Sequence, residues 1–415
     1  MERPKILHEQ VITHHELVNQ YGGVHPTEMA HMHRATLDGM IENALEKVSN
    51  LDSNRERVVD YVAVTVGPGL PPCLSAGLDT AMKYCEKLNV PVIPVHHLEA
   101  HLLVPLMFSE NTNFPYLVLL ASGGHCLVVF SRGIGQYEIV GGTEDDSIGE
   151  AFDKTARLLQ ESIDFNLNDY VNEKFGTREN YSGGALVEKL ALLGDSSSYN
   201  FPIPLRKGNR RNDITFSFSG IKTDVLRTVR KEQNQGISKR DLHHLLNRLR
   251  NNGSVKNVQD INANLQASTD PYSREGSQSL STIELKNEKL SEEVVCNISA
   301  SFQKCAFTHL IDKLEMAMHR YRANVDEYPN SLIVSGGVSA NQYFRHELTK
   351  LSDKYEYDLK VAPMKYCTDN AVMIGYAAFQ RLFNECHKPV EVCDKERYIP
   401  RWPITTLSDF YTYNK

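Results

Sequence analysis

Short apolar strands alternate with amphipathic helices along this chain of 415 residues, and that alternation restricts its fold more than any other feature. Residues 61–66, 92–95 and 331–334 are apolar runs of strand length. Residues 74–88 and 149–159 carry apolar side chains at the spacing of one helix face. The alternation predicts an α/β fold in which helices flank the sheets.

Other segments extend this pattern. Residues 116–121 and 126–130 are apolar strands with only Ser-Gly-Gly-His between them, which predicts a hairpin. The apolar spacing also predicts helices over 36–48 and 341–351 and a long helix over 291–320.

The composition is that of an ordinary globular protein, with 41% hydrophobic and 23% charged residues. No apolar run approaches the length of a bilayer span, which argues against membrane insertion. The net charge of −7 argues against non-specific coating of nucleic acid but allows a local basic patch. The eight cysteines show no Cys-x-x-Cys spacing and indicate reduced thiols. Residues 251–281 are rich in Asn, Ser and Gln, and we interpret them as a mobile insertion rather than a folded element.

His97 and His101 stand four residues apart in a segment that follows a short strand. Residues at this spacing lie on one face of a helix, so both imidazoles can bind one metal ion, and a third ligand would leave a position open. A zinc-protease helix needs its glutamate directly after the first histidine, whereas Glu99 lies two residues after it. The spacing therefore favours a metal site over a protease, with two surface or capping histidines as the alternative.

The tripeptide Ser-Gly-Gly occurs three times, at 122–124, 182–184 and 335–337. Glycine pairs let backbone amides approach an anion closely, and a following helix N-terminus adds a favourable dipole. We interpret the copies as loops at strand ends, the first and third being phosphate and nucleoside loops from two halves of a nucleotide-binding fold. The alternative is that each copy is only a tight turn.

Charged residues supply further candidates. Asp369 precedes a helix of small residues, where it either completes the metal site or caps that helix. Asp153 would suit ribose hydroxyls beside a nucleotide, and otherwise lies on a solvated helix face. A compact basic loop is the best candidate for contact with an RNA backbone, although such loops are usually just solvated. Its basic residues are Arg206, Lys207, Arg210 and Arg211.

Several motifs occur together and in a fixed order. They are Tyr-Gly-Gly-Val-His-Pro-Thr-Glu at 21–28, Gly-Pro-Gly-Leu at 67–70, His-Leu-Glu-Ala-His at 97–101, Ser-Gly-Gly-His at 122–125, Gly-Glu-Ala-Phe-Asp-Lys at 149–154, Ser-Phe-Ser-Gly-Ile-Lys at 217–222, Ser-Gly-Gly-Val-Ser-Ala-Asn at 335–341 and Cys-Thr-Asp-Asn-Ala at 367–371. Over nearly the whole chain this set resembles the tRNA threonylcarbamoyladenosine transferases of the TsaD family. The motifs are most similar to those of its bacterial and mitochondrial branch.

The resemblance implies an actin-like, sugar-kinase-like (ASKHA) bilobal fold with two related sheets flanked by helices. We expect a first lobe over 1–130 and a second over 131–415, the second including residues 251–281 and a C-terminal helix that returns to the first. The opening hairpin typical of the family, with its Gly-Ile-Glu-Thr-Ser-Cys-Asp signature, is absent here. We expect its loss to expose a sheet edge and weaken the nucleotide site.

The implied reaction transfers a threonylcarbamoyl group from threonylcarbamoyl-AMP to N6 of the adenosine 3′-adjacent to the anticodon, in tRNAs that read codons beginning with A. By resemblance, His97, His101 and Asp369 would bind one divalent metal ion per subunit, iron or zinc. The adenylate would contact Leu120, Ala121, Ser122, Gly123, Gly124, Asp153, Gly184 and Asn341, with Glu188 near another substrate contact. No general base is identified, because attack by an RNA amine needs mainly positioning.

The expected partners are tRNA, a separate synthase that supplies threonylcarbamoyl-AMP, and a second copy of the chain in a homodimer. Branch resemblance implies a mitochondrial location, with the cytoplasm as the alternative. Three other functions compete with this one. The chain could be a catalytically impaired family member that acts as a binding protein, a metalloprotease, or a kinase-like ATPase on fold analogy alone.

Overall fold

The computed structural model describes residues 4–13, 25–51, 57–109, 112–233, 289–322, 328–384 and 398–407. The strands are β1 (Val62–Gly67), β2 (Val92–His96), β3 (Tyr116–Ala121), β4 (Cys126–Gly133), β5 (Gln136–Thr143), β6 (Thr215–Phe216), β7 (Ser331–Ser335) and β8 (Asp358–Val361). The helices are α1 (Pro26–Ser49), α2 (Pro71–Leu88), α3 (His97–Met107), α4 (Ile148–Glu161), α5 (Leu167–Phe175), α6 (Gly183–Ala191), α7 (Ser219–Glu232), α8 (Glu292–Arg322), α9 (Gln342–Tyr355) and α10 (Ala371–Phe383).

The described strands form two sheets. β1 and β2 pair in parallel, and a six-stranded sheet has the order β6-β5-β4-β3-β7-β8. Within the larger sheet β3 pairs antiparallel with β4 and parallel with β7, and β7 pairs parallel with β8. Every residue of β3 and β7 is buried, as expected for central strands that are covered on both faces and therefore read as continuous apolar runs.

The chain divides into two compact units. The first unit comprises residues 1–143, 212–215 and 313–415, and the second comprises residues 144–211 and 216–312. The predicted lobes at 1–130 and 131–415 stay a prediction.

The first unit has two apolar clusters. One joins α2 and β3 to the segment around Trp402 and includes Val118 and Ile333. The other packs α3 against α10 and includes Leu103, Val104 and Ala377, which are fully buried. Helix α3 is therefore apolar on almost all sides, and its few polar side chains need specific partners.

The second unit is built around the amphipathic helix α4. Its buried face carries apolar residues three and four apart, among them Phe152, Ala156 and Leu159. The Phe152 ring lies 4.9 Å from that of Phe302 and 5.2 Å from that of Phe307, both on α8. This aromatic cluster anchors the face that the sequence pattern predicts to be buried.

The structure confirms the α/β class, the flanking of sheets by helices, and the hairpin, in which the Ser122 amide donates to the His125 carbonyl at 2.8 Å. Helix α1 begins ten residues earlier than predicted, because Pro26 suits a first helical turn. None of the described helices is long and apolar enough to span a membrane. The six described cysteines form no disulfide with one another, and the predicted insertion at 251–281 lies outside the described residues.

One prediction about the glycine loops is wrong. The second Ser-Gly-Gly does not follow a strand, since it lies after α5 and begins α6. Ser182 is the N-cap of that helix, and its hydroxyl accepts a hydrogen bond from the Ala185 amide at 3.4 Å. Ser182 therefore caps a helix and is not part of a loop at the end of a strand.

Candidate metal centre and nucleotide loops

Three side chains that could bind one metal ion meet in the first unit. Nε2 of His101 lies 2.9 Å from Oδ1 of Asp369, and Nε2 of His97 lies 3.6 Å from the same oxygen. One ligand atom from each residue lies within 4.8 Å of the others. Two ligands of a tetrahedral metal ion at about 2.1 Å would lie about 3.4 Å apart, so this donor set fits such an ion.

The preceding residue, His96, makes helix α3 begin where it does. Its Nδ1 accepts hydrogen bonds from the amides of Leu98 at 3.2 Å and Glu99 at 3.4 Å, in the manner of an N-cap. Nε2 therefore carries the proton and donates to the Trp402 carbonyl at 3.0 Å. Burial lowers the pKa of His96 to about 3, so the capping form persists at neutral pH. This role of His96 was not predicted from the sequence.

The protonation states of His97 and Asp369 suit metal binding. Burial lowers the pKa of His97 to about 4, which keeps its imidazole neutral at pH 7. Desolvation opposes ionisation of Asp369, but the hydrogen bond from His101 and the adjacent imidazoles outweigh it and lower the pKa of this carboxyl. Neutral imidazole and ionised carboxylate are the forms that coordinate metals.

The structure excludes one of the two roles considered for Asp369. The N-cap of α10 is Asn370, whose Oδ1 accepts a hydrogen bond from the Met373 amide at 2.9 Å. Asp369 is therefore not used as a cap, and its carboxylate is turned towards the two histidines.

Glu99, between the two histidines, is fully buried and forms an ion pair with Arg381. The Arg381 Nε donates to Oε2 of Glu99 at 3.0 Å, and a second guanidinium nitrogen donates to the same oxygen. A carboxylate held in this way cannot act as the free base that a metalloprotease needs. This pair was not predicted from the sequence, since nothing near Glu99 in sequence points to residue 381.

The first glycine loop begins where β3 ends. Leu120 and Ala121 are buried, and Ser122 accepts hydrogen bonds from the amides of Gly124 at 3.3 Å and His125 at 3.0 Å. A Cβ added to Gly123 or Gly124 would meet nothing within 4 Å. Nothing in the protein itself therefore requires glycine there, and an approaching ligand would explain it.

The third glycine loop packs directly on the first. Gly336 has φ +92°, and a Cβ there would lie 2.7 Å from the carbonyl carbon of Ala121. A Cβ on Gly337 would lie 3.5 Å from the side chain of Thr368, the neighbour of Asp369. Asn341 caps α9 through a 2.9 Å bond from the Phe344 amide. The two glycine loops and the metal candidates thus converge within the first unit.

The remaining adenylate candidates lie in the second unit. The Gly184 amide donates to Oδ1 of Asp153 at 3.0 Å, which links α6 to α4. A Cβ on Gly183 would lie 2.6 Å from the same oxygen, so this contact requires glycine. Desolvation raises the pKa of Asp153, opposed by the Gly184 amide. Glu188 is a half-buried residue of α6.

All four basic candidates in the loop at 206–211 are exposed, but two of them form ion pairs. Arg206 Nε lies 2.9 Å from Asp312, and Arg210 donates from both terminal nitrogens to Glu144, one at 2.7 Å. The loop's positive charge is therefore partly neutralised by its own surroundings.

Comparison with known proteins decides the family. The family model for TsaD, tRNA N6-adenosine threonylcarbamoyltransferase, matches residues 5–376. The chain belongs to the TsaD family. It is 31% identical over 405 residues to a protein of Arabidopsis thaliana named probable tRNA N6-adenosine threonylcarbamoyltransferase, mitochondrial, covering 96% of this chain and 70% of that protein. It is 34% identical over 408 residues to the tRNA N6-adenosine threonylcarbamoyltransferase of Chelativorans sp., covering 97% and 89% respectively.

Among solved structures, the TsaD-family chain is similar to full-length HypF in a phosphate- and nucleotide-bound form, with a TM-score of 0.43 and 14% identity, covering 84% of this chain and 50% of that one. A ROK family protein from Streptococcus pneumoniae matches with a TM-score of 0.30 and 10% identity, covering 83% and 87%. TM-scores below 0.5 establish no shared fold, so the fold class rests on the described elements.

For this TsaD-family member, the predicted site residues fall into two groups. The structure brings His97, His101 and Asp369 together. It places the loops containing Gly123 and Gly336 in the same unit, and Asp153 with Gly184 in the other. Their roles in binding metal and adenylate stay predictions.

Proposed function

We propose that this transferase moves a threonylcarbamoyl group from threonylcarbamoyl-AMP to N6 of the adenosine 3′-adjacent to the anticodon, in tRNAs that read codons beginning with A. The observation that carries the proposal is the meeting of a His97–His101–Asp369 donor set with two glycine loops in one unit. In this reaction the adenosine amine attacks the carbamoyl carbon, the bond from that carbon to the phosphate oxygen breaks, AMP leaves, and the amine loses one proton.

We further propose that His97, His101 and Asp369 hold one divalent ion, iron or zinc. Bound there, such an ion would act as a Lewis acid that orients and polarises an oxygen of the threonylcarbamoyl group. The donors suit either metal, since neutral imidazole and carboxylate bind both.

The glycine loops would hold the AMP leaving group. The open space around Gly123 and Gly124 lets their backbone come close to a phosphate. His125 lies near enough to the metal candidates for His101 to reinforce the lowering of its pKa, which burial mainly causes. A neutral imidazole beside the loop does not repel a divalent cation.

Arg206, Lys207, Arg210 and Arg211 are proposed contacts for the tRNA backbone. Exposed guanidinium and ammonium groups bind phosphate, and the exposed ion pairs of Arg206 and Arg210 are weak enough to exchange one anion for another.

A separate synthase would supply threonylcarbamoyl-AMP, because the proposed role of the metal-binding side chains is in transferring the threonylcarbamoyl group and not in making this donor. We also propose that the chain acts as a homodimer in mitochondria, with the cytoplasm as the alternative location. For the location, the support is that the relatives it matches include a plant mitochondrial protein beside bacterial ones.

A second candidate is a family member that binds its partners without transfer. A metalloprotease is disfavoured, because Glu99 is buried against Arg381.

The test uses the purified chain with threonylcarbamoyl-AMP and an unmodified tRNA that carries adenosine beside its anticodon. Mass spectrometry of the digested tRNA should detect the modified nucleoside. We expect His97→Ala and Asp369→Ala to abolish it, and His31→Ala, a histidine outside the site, to retain it. Folded wild-type protein that binds tRNA without forming product would support the binding protein instead.

A further inference from the structure

A buried ion pair lies next to the metal candidates and has no role in the reaction proposed above. The side chain of Glu99 is fully buried and that of Arg381 is 2% exposed. Burying two charges removes their hydration, and the cost is recovered only if both groups are fully hydrogen-bonded in good geometry. A pair retained at such a cost is therefore a candidate for a specific task.

The remaining partners of the pair come from other elements. Oε1 of Glu99 accepts hydrogen bonds from the Gly135 amide at 3.1 Å and the Tyr137 hydroxyl at 2.9 Å. Arg381 Nη1 donates to the Pro94 carbonyl at 2.5 Å. The pair thus connects helix α3, helix α10, strand β2 and the turn between β4 and β5 through directional bonds.

The position of Glu99 on α3 excludes it as a metal ligand and suits it as an anchor. Each residue turns an α-helix by about 100°, so Glu99 lies about 200° from both His97 and His101. The two histidines consequently face one side of α3 while Glu99 faces the other. Glu99 fixes the rotation of the helix, and with it the direction of both imidazoles.

Arg381 fixes the position of the third proposed ligand, Asp369, in a similar way. Asp369 lies two residues before α10 begins, and Arg381 lies twelve residues after Asp369, near the end of that helix. A helix is a rigid rod on this scale, and the segment from Ala371 to Arg381 spans about 15 Å. Fixing Arg381 against Glu99 therefore limits how far α10 can slide or rotate relative to α3, and this places Asp369.

We propose that Glu99 and Arg381 are positioning residues that hold α3 and α10 in the register at which Asp369 meets His97 and His101. This inference rests on the proposed metal site. It predicts that a weakened pair loosens metal binding without removing any ligand atom, as the loss of outer groups around metal sites does.

The experiment measures Co²⁺ binding to the metal-free protein, with visible absorption reporting coordination geometry and a competing chelator giving the affinity. Glu99→Gln keeps the shape of the side chain and removes its charge. We expect its Co²⁺ affinity to fall by about 10–100-fold, with an altered absorption spectrum. Arg381→Lys keeps the charge but loses the planar fork, and should weaken binding to a smaller degree.

Two controls make the result specific. Leu348→Ala removes a fully buried side chain of α9 in the same unit, so it lowers thermal stability without touching the pair. It should leave the Co²⁺ affinity and spectrum of the folded fraction unchanged. His97→Ala removes a proposed ligand and should abolish tight binding.

Folded Glu99→Gln and Arg381→Lys proteins with wild-type affinity and spectrum would overturn the positioning role and leave the metal site intact. Equal weakening in Leu348→Ala would also overturn it, because general destabilisation would then explain the effect. Wild-type protein that binds no Co²⁺ would refute the metal site itself, and the positioning role with it.

Discussion

Replacing Gly336 by alanine tests how the two glycine loops are held together. Gly336 has φ +92°, a conformation that costs an L-residue about 1–2 kcal/mol. The new Cβ would lie 2.7 Å from the Ala121 carbonyl carbon and closer still to its oxygen. Ala121 cannot move away cheaply, because it is buried and paired with Cys126 in the sheet.

The magnitude follows from these two costs. Overpacking adds about 1–3 kcal/mol to the backbone cost, and the lower chain entropy of alanine in the unfolded state returns about 0.4–1 kcal/mol. We therefore expect Gly336→Ala to lower the free energy of unfolding of the first unit by about 2–4 kcal/mol.

The assay is urea unfolding followed by fluorescence of Trp402, the single tryptophan, which is buried in the first unit. Gly123→Ala is the matched control, since its Cβ would meet nothing within 4 Å. It should change stability by less than about 0.5 kcal/mol while weakening adenylate binding about tenfold. A Gly336→Ala protein with the wild-type midpoint and slope would refute the reasoning.

Three further predictions concern charge and loop position. In metal-free protein, the free energy of unfolding should fall as the pH drops below about 6.5, by up to about 1.4 kcal/mol per pH unit. Burial lowers the pKa of His96 to about 3, so below pH 6.5 the folded state binds fewer protons than the unfolded state. Urea titrations of His96→Asn, which can still cap a helix, should show a flatter pH dependence, and an equal slope would contradict this. Glu144→Gln should weaken the ion pair of Arg210 and tighten tRNA binding. In a filter-binding assay, the plot of the logarithm of the binding constant against the logarithm of salt concentration should become steeper by about one counterion. An unchanged slope of that plot would mean that Arg210 does not contact RNA. Arg345→Lys should lower the free energy of unfolding by about 1–2 kcal/mol. Arg345 donates from Nε to the Ser339 carbonyl at 2.6 Å and from Nη2 to the Ala362 carbonyl at 3.0 Å, and one ammonium group cannot replace both bonds. Thermal and urea unfolding would measure the change, and wild-type stability would count against it.

Much of the local structure follows from the sequence pattern. The continuous apolar run of β3 marks a strand covered on both faces, and the buried face of α4 follows the helical period. Both depend on interactions between residues a few positions apart. Motif order likewise predicted the family, because short segments retain their residues where the backbone or a ligand allows few alternatives.

Local pattern alone left the role of Asp369 open between a cap and a ligand. Asp and Asn are both residue types that cap helices, so either Asp369 or Asn370 could cap α10. Only the folded backbone assigns the cap to Asn370. The basic loop is similar, since its composition suggested contact with an RNA backbone or a solvated loop, whereas the tertiary structure pairs Arg206 with Asp312 and Arg210 with Glu144.

The sequence by itself determined the α/β class, several of the strands and helices, the family and a pair of histidines on one helix face. Only the tertiary structure decided that Asp369, 268 residues after His101, meets that pair, and that Arg381, 282 residues after Glu99, neutralises the carboxylate between the histidines. Periodicity reports which face of an element is buried, and carries no information on which distant element covers it. Partners of buried charges are chosen when the helices pack, because only then does each charge lose water and need a specific group in its place.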